Sequence, residues 1–225
     1  MQFDLSKAQD GILLVDKPVG WTSFDVVAKI RGQIRREYQE NGIKPTKRQL
    51  KVGHAGTLDP FATGLLVVLL GDATKKADEF LKLDKVYEAT IRLGQTSTTG
   101  DPEGELTDVS GHMPTSEEVE AALRQFTGEI TQIPPKFSAI KVNGQRAYKL
   151  AHQGKDVEIP PRKVTIHSIE LLDYTYPEIK IRTHVGSGTY IRTLAEDIGG
   201  ILKTGAYCEE LRRTVVGDWS LIDFS

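Results

Sequence analysis

The sequence of 225 residues predicts an α+β fold, mixed α/β, on one continuous core. Three observations lead there. Stretches of alternating apolar and polar residues, such as "KVYEATIRLG", stand beside stretches with helical spacing, such as "TSFDVVAKIRGQIRREY". Strands and helices are mixed without strict alternation. No internal repeat, low-complexity tract or Pro/Ser-rich linker divides the chain, so residues 1–225 read as a single domain.

The elements follow in order. "GILLVDKPVG" is a short apolar run closed by a Lys-Pro-x-Gly turn, which predicts a buried strand. In the next segment Ser23 is placed to cap a helix, and Phe24, Val27, Ile30, Ile34 and Tyr38 recur at helical spacing. "QENGIKPTKRQLK" is polar and basic, an exposed loop or insertion. "LLVVLLG" predicts a central strand and "DATKKADEFLKL" a helix. In "KVYEATIRLG", Tyr87, Ala89, Ile91 and Leu93 share one face. "QTSTTGDPEGE" is a turn-rich loop. "TSEEVEAALRQFTG" carries a capping box from Thr115 to Glu118 and ends on Gly128. Asn143-Gly144 is a strong hairpin signal. "KVTIHSIELLDYTY" and "EIKIRTHVG" predict strands, "SGTYIRTLAEDIGGILK" a helix after a glycine turn, and "YCEELRRTVVGDWSLIDF" closing strands.

Composition narrows the function. The formal charge is −2, which taken globally argues against a nucleic-acid protein. The distribution argues otherwise. Between Lys29 and Lys51 stand eight basic residues, Lys29, Arg31, Arg35, Arg36, Lys44, Lys47, Arg48 and Lys51, against only Glu37 and Glu40. On charge alone this is either a solvated helix face or an electrostatic footprint for phosphates. The single cysteine, Cys208, supports neither a disulfide framework nor a thiolate metal site. None of the five histidines forms an H-x-x-x-H or H-x-H pair, so no metal and no cofactor is expected. The N-terminus has no apolar signal region, and no apolar run reaches a membrane span. A cytoplasmic, monomeric protein is the expectation.

Residues 53–64, "GHAGTLDPFATG", place one carboxylate, Asp59, among small residues. Asp followed by Pro suits a helix N-cap. Yet "FATG" reaches a glycine within five residues and then a strand-like run, so there is little helix to cap. Gly53, Gly56 and Gly64 would let a bulky partner approach the backbone closely.

"GHAGTLDPFATGLL" closely resembles the catalytic motif of the TruB-type tRNA pseudouridine synthases. Further matches follow in order: "LLVDKPVGWTSFDVV" with the first motif, "KVYEATIRLG" with the Lys-x-Tyr strand, "IPPKFSAIKVNGQRAYKLAHQG" with the substrate-clamping thumb, and "GSGTYIRTLAEDIG" and "LRRTVVGDWSL" with the last two motifs. The resemblance spans roughly residues 11–221 and implies a catalytic domain with a central mixed, largely antiparallel sheet flanked by helices and loops. It implies isomerisation of uridine to pseudouridine in the T-loop of tRNA, position 55, with Asp59 as the nucleophile. Whether Asp59 attacks C1′ or acts as a base at C2′ stays open. By the same resemblance Arg192 pairs with Asp59 and keeps it ionised. Tyr87 lies against the target uracil, although spacing alone makes it a core residue. His54 stacks within the remodelled RNA loop, and Tyr190 and Leu211 line the uracil pocket. Lys17 and Pro18 shape the first-motif turn.

Two departures from the family pattern stand out. The stretch between the first and catalytic motifs looks expanded into a basic insertion at about 35–51, and no C-terminal PUA-like RNA-binding extension is expected. The basic insertion then compensates in part, with Lys44, Lys47, Arg48 and Lys51 on the RNA backbone. Lys136, Lys141, Arg146 and Lys149, in the thumb-like segment at about 133–158, suit a mobile element that closes on phosphates, the alternative being a permanent surface hairpin. The expected partner is the tRNA T-arm, with no membrane. Alternatives are the same chemistry on another RNA stem-loop, or a tRNA-folding chaperone. A glycoside hydrolase would want a second carboxylate, which the motifs do not supply.

Overall fold

The computed structural model describes residues 2–109, 111–138, 140–142, 144–147, 150, 153 and 158–221, with the backbone alone at 141, 142 and 146. The chain divides into two compact units, Met1–Lys85 with Arg212–Ser225, and Val86–Leu211.

In the first unit, β1 (Ile12–Lys17) pairs antiparallel with β3 (Thr63–Leu70), from Ile12 opposite Leu69 to Lys17 opposite Gly64. The other edge of β3 is shared. β2 (Val52–His54) runs antiparallel along its C-terminal half, and the end of a later strand, β12 (Ala206–Val216), lies parallel at Thr63 and Gly64. A strand bonded on both edges and covered on both faces reads as a continuous apolar run, and Leu65 to Leu69 are all fully buried. Leu65, Val67 and Leu69 form a core with Ala55, Ala73, Phe80 and Val216. β13 (Trp219–Ser220) folds back on β12. "DATKKADEFLKL" is a 3-10 helix (Gly71–Lys76) followed by the short α2 (Ala77–Leu81) rather than one helix.

The first long helix, α1 (Ser23–Glu40), departs from its sequence reading at the start. Thr22 is the cap, in a box with Asp25, while Ser23 is buried. The buried stripe is therefore Ser23, Val26, Val27, Ile30 and Gln33, and Phe24, expected inward, is 63% exposed.

The second unit holds β4 (Lys85–Leu93, from Val86 onward), β5 (Gln95–Ser97), β6 (Leu106–Asp108), α3 (Ser116–Arg124) and β7 (Gly128–Gln132). The short hairpin β8 (Lys141–Val142) and β9 (Gln145–Arg146) stands where Asn143-Gly144 predicted one, Asn143 itself lying outside the described residues. The long pair β10 (Arg162–Thr175) and β11 (Glu178–Val185) follows, then α4 (Ile191–Ile201) and the first half of β12. β10 is antiparallel to both β11 and β7. The alternation predicted for β4 holds, with Tyr87, Ala89, Ile91 and Leu93 buried. The capping box of α3 joins Thr115 and Glu118 as expected. The class is mixed α/β with mostly antiparallel strand pairing. Among the described residues, no helix is long and apolar enough to cross a membrane.

Candidate active site

Asp59 stands in the irregular segment between β2 and β3. No helix follows it. Asp59 opens a tight turn instead, its carbonyl accepting from Ala62 N–H at 3.1 Å, with Pro60 at the second position where its fixed φ suits such a turn.

Both chain neighbours of Asp59 are held by the first motif. Ser23 Oγ accepts from Leu58 N–H at 2.9 Å and donates to Leu58 O at 3.1 Å. Pro60 O accepts from Gly20 N–H at 2.8 Å and from Lys17 Nζ at 3.2 Å. Lys17 is fully buried, and Nζ also donates to Trp21 O at 2.6 Å and Pro18 O at 2.9 Å. Three carbonyls thus meet the three ammonium protons, replacing the hydration lost on burial. With Leu58 and Pro60 pinned, the Cα of Asp59 has little freedom, which is what pre-organisation of a reacting group requires.

The glycines of this segment do admit a bulky partner, but at two of them the partner is the protein's own Arg213. A Cβ on Gly64, φ +96°, would lie 2.2 Å from Arg213 O, because β12 runs against it there. At Gly56 the Arg213 guanidinium lies 3.4 Å from where a Cβ would stand. Arg213 is 1% exposed, donating to Leu65 O at 2.8 Å and Gly56 O at 3.0 Å. His54 is half-buried at the end of β2, opposite Val68.

At the start of β4, Lys85 is buried and donates to the carbonyls of Phe80, Leu81 and Leu83. Burial, and then the charge of Arg213, lower its ammonium to about 8.

The second unit carries Tyr87, Tyr190, Arg192 and Leu211. Tyr87 is 9% exposed on β4, and Leu211 is buried on β12. Tyr190 is the half-buried residue that precedes α4, and Arg192 lies in the first turn, 4% exposed. One Arg192 nitrogen donates to Thr99 O at 2.8 Å and Asp101 Oδ2 at 3.0 Å, the other to Phe137 O at 2.8 Å. Asp101 is equally buried, and its second oxygen accepts from Thr99 Oγ1 at 2.5 Å and Glu103 N–H at 3.1 Å. These donors replace the hydration that the carboxylate gives up on burial.

The sequence reading missed Asp101. Its only signal was Gly100 before it, φ +73°, where a Cβ would fall 2.7 Å from Glu196 Oε1.

Lys44, Lys47, Arg48 and Lys51 are all exposed. Arg48 forms an ion pair with Asp72, and Arg31, from the same basic run, donates to Val52 O at 3.0 Å. Lys136 is exposed. The side chains of Lys141 and Arg146, and all of Lys149, lie outside the described residues.

The family model described as TruB family pseudouridylate synthase (N terminal domain) matches residues 44–191. The tRNA pseudouridine synthase B of Phocaeicola vulgatus is 50% identical over 214 residues, covering 94% of this chain and 88% of that protein. The protein of the same name from Thermobifida fusca is 45% identical over 222 residues, 94% of this chain and 71% of that one. Among solved structures, a chain of a Cbf5-Nop10-Gar1 complex superposes with a TM-score of 0.67 at 31% identity, over 94% of this chain. A chain of an H/ACA RNP bound to a substrate RNA containing 2′-deoxyuridine superposes with a TM-score of 0.63 at 28% identity. This chain spans about half the length of each, 50% and 49%.

Proposed function

The chain belongs to the TruB family of pseudouridylate synthases, and from that premise we propose that it isomerises the uridine at position 55 in the T-loop of tRNA, with Asp59 as the nucleophile. It is an isomerase that forms pseudouridine in tRNA. The observation that carries the finer reading is the fixation of the Asp59 loop, Leu58 by Ser23 and Pro60 by Lys17 and Gly20.

The reaction breaks the N1–C1′ bond, turns the uracil and forms a C5–C1′ bond. The C5 proton leaves and N1 gains one, so electrons balance without an oxidant or reductant. The target base first leaves its stack, at a cost of a few kcal/mol. Ionised Asp59 then opens the reaction, by attack at C1′ or by drawing the C2′ proton. In this reading the Tyr87 ring lies against the extruded uracil. Tyr190 and Leu211 line its pocket, Arg192 keeps Asp59 charged, and His54 stacks within the remodelled loop. The test is tritium release from a T-loop hairpin carrying 5-tritiated uridine at that one position. Release at the rate of multiple turnovers is expected. A protein that leaves this label in place while modifying another stem-loop would refute the T-loop assignment.

The basic residues Lys44, Lys47, Arg48 and Lys51, with Lys136, Lys141 and Arg146, are proposed to contact the RNA backbone. Changing the first four to alanine is expected to flatten the dependence of log K on log salt, by roughly 0.7–0.9 for each phosphate contact removed. Arg48 already faces Asp72, so the lysines should account for most of the change. An unchanged slope in a filter-binding titration would assign them to solvent alone.

A further inference from the structure

We infer that Gln132 and Arg162, facing each other across β7 and β10, form a clamp that fixes Tyr190, and that Arg162 is a positioning residue for the uracil pocket. The inference rests on the pocket role proposed above for Tyr190.

Tyr190 occupies the N-cap position of α4, yet its side chain makes no capping bond. Tyrosine is a poor cap, so something else must hold this helix end. Gln132, 1% exposed, does so through the main chain. Its Oε1 accepts from Tyr190 N–H at 3.1 Å and its Nε2 donates to Tyr190 O at 3.2 Å. Both ends of one carboxamide are thereby spent on one residue.

The residue opposite Gln132 in the strand register is Arg162. Its guanidinium carbon lies 4.9 Å from the centroid of the Tyr190 ring, the geometry of a cation–π contact. Gly188, φ +84°, makes room for it, since a Cβ there would stand 2.9 Å from an Arg162 terminal nitrogen. The Nε of Arg162 is buried and makes no hydrogen bond with the described residues. An arginine kept for ion pairing would use that donor, whereas an arginine kept as a flat cation against a ring does not need it. Gln132 therefore fixes the backbone of Tyr190 and Arg162 covers one face of its ring. In the proposed pocket a planar base would meet the other face.

The same strand exit reaches the first turn of α4. Ile133 O accepts from Thr193 Oγ1 at 3.4 Å, and Phe137 O from Arg192 at 2.8 Å. A shift of Tyr190 would thus be felt at the turn that carries Arg192.

Single-turnover tritium release from the labelled T-loop hairpin tests this in wild type, Arg162→Met, Tyr190→Leu and the double variant. Arg162→Met is expected to lower the rate constant about tenfold, as loss of a partly desolvated cation–π contact would, with hairpin affinity unchanged. In the Tyr190→Leu background the same change should cost less than about twofold, because the two residues act as one unit. Arg162→Lys keeps charge and stem without the plane. It should resemble Arg162→Met, and it supplies the comparison if the methionine variant fails to fold. Equal losses in both backgrounds overturn the inference. So does a fall in reaction amplitude at constant rate, which reports only a smaller folded fraction. An inactive wild type would overturn the proposed function and this inference with it, whereas additive losses in an active enzyme overturn the inference alone.

Discussion

Asp59→Asn is expected to leave the fold and RNA binding in place and to lower the single-turnover rate by at least roughly 10⁴-fold, the scale seen when a nucleophile is removed from a pre-organised site. The reason lies in how the loop is held. The contacts that pin Leu58 and Pro60 run through their carbonyls and the N–H of Leu58, main-chain groups that the substitution leaves in place. Asparagine matches the acid in size, so the turn from Asp59 to Ala62 persists. What is lost is the charge that, in the proposed reaction, attacks the sugar or takes its proton. Tritium release reports the chemistry and thermal unfolding the fold. A variant that keeps its melting temperature and reacts within tenfold of wild type would remove Asp59 from the chemistry.

Arg192→Met is expected to damage both stability and turnover, and Asp101→Asn to separate the two. The Arg192 guanidinium joins the Thr99–Asp101 loop to Phe137, and both charged side chains are 4% exposed. Removing one member leaves the other charge buried, a change that costs about 3–5 kcal/mol in such pairs. At about 2–4 °C per kcal/mol for a chain of this size, the melting temperature should fall by roughly 10 °C. Activity should fall with it by about 10²-fold or more, as for an electrostatic group at a reacting centre. Asp101→Asn keeps an oxygen that can accept from Arg192 and removes only the charge. Its melting temperature should fall less, and any rate loss then measures how far Asp101 sets the field of the arginine. Near-wild-type turnover by Arg192→Met would refute the role given to the guanidinium.

Local pattern carried much of the fold. The period of β4 put Tyr87 on the buried face, and the Thr115–Glu118 box started α3 where expected. Local pattern failed where a distant residue decides. Thr22 and Ser23 are both good caps. What separates them is Leu58, 35 residues on, whose main chain takes the Ser23 hydroxyl. Phe24 shares its helical spacing with Val27 and Ile30, which are buried as expected, yet it is exposed while its neighbour Ser23 takes the inward place. The glycines around Asp59 announced a close approach without naming the visitor, and Arg213 lies 157 residues from Gly56. His167 and His184 form no short-spaced pair in sequence, yet the β10–β11 pairing brings their rings to 4.6 Å. Asp101 escaped notice because a carboxylate in a turn-rich loop is ordinary until a buried guanidinium is seen against it.

The stretch from residue 41 to 50 leaves α1 and returns to β2, whose entry is fixed by contacts outside that stretch. Arg31 on α1 donates to Val52 O at 3.0 Å, and Lys51 O accepts from Gly71 N–H at 2.7 Å. Doubling a loop's length between fixed ends adds only about 0.6 kcal/mol of closure entropy. Foreign peptide spliced in here, even a cluster of new charges, should therefore leave the acid where it stands. Substrate grip could then drift over evolutionary time in this stretch while the chemistry next door stays unaltered.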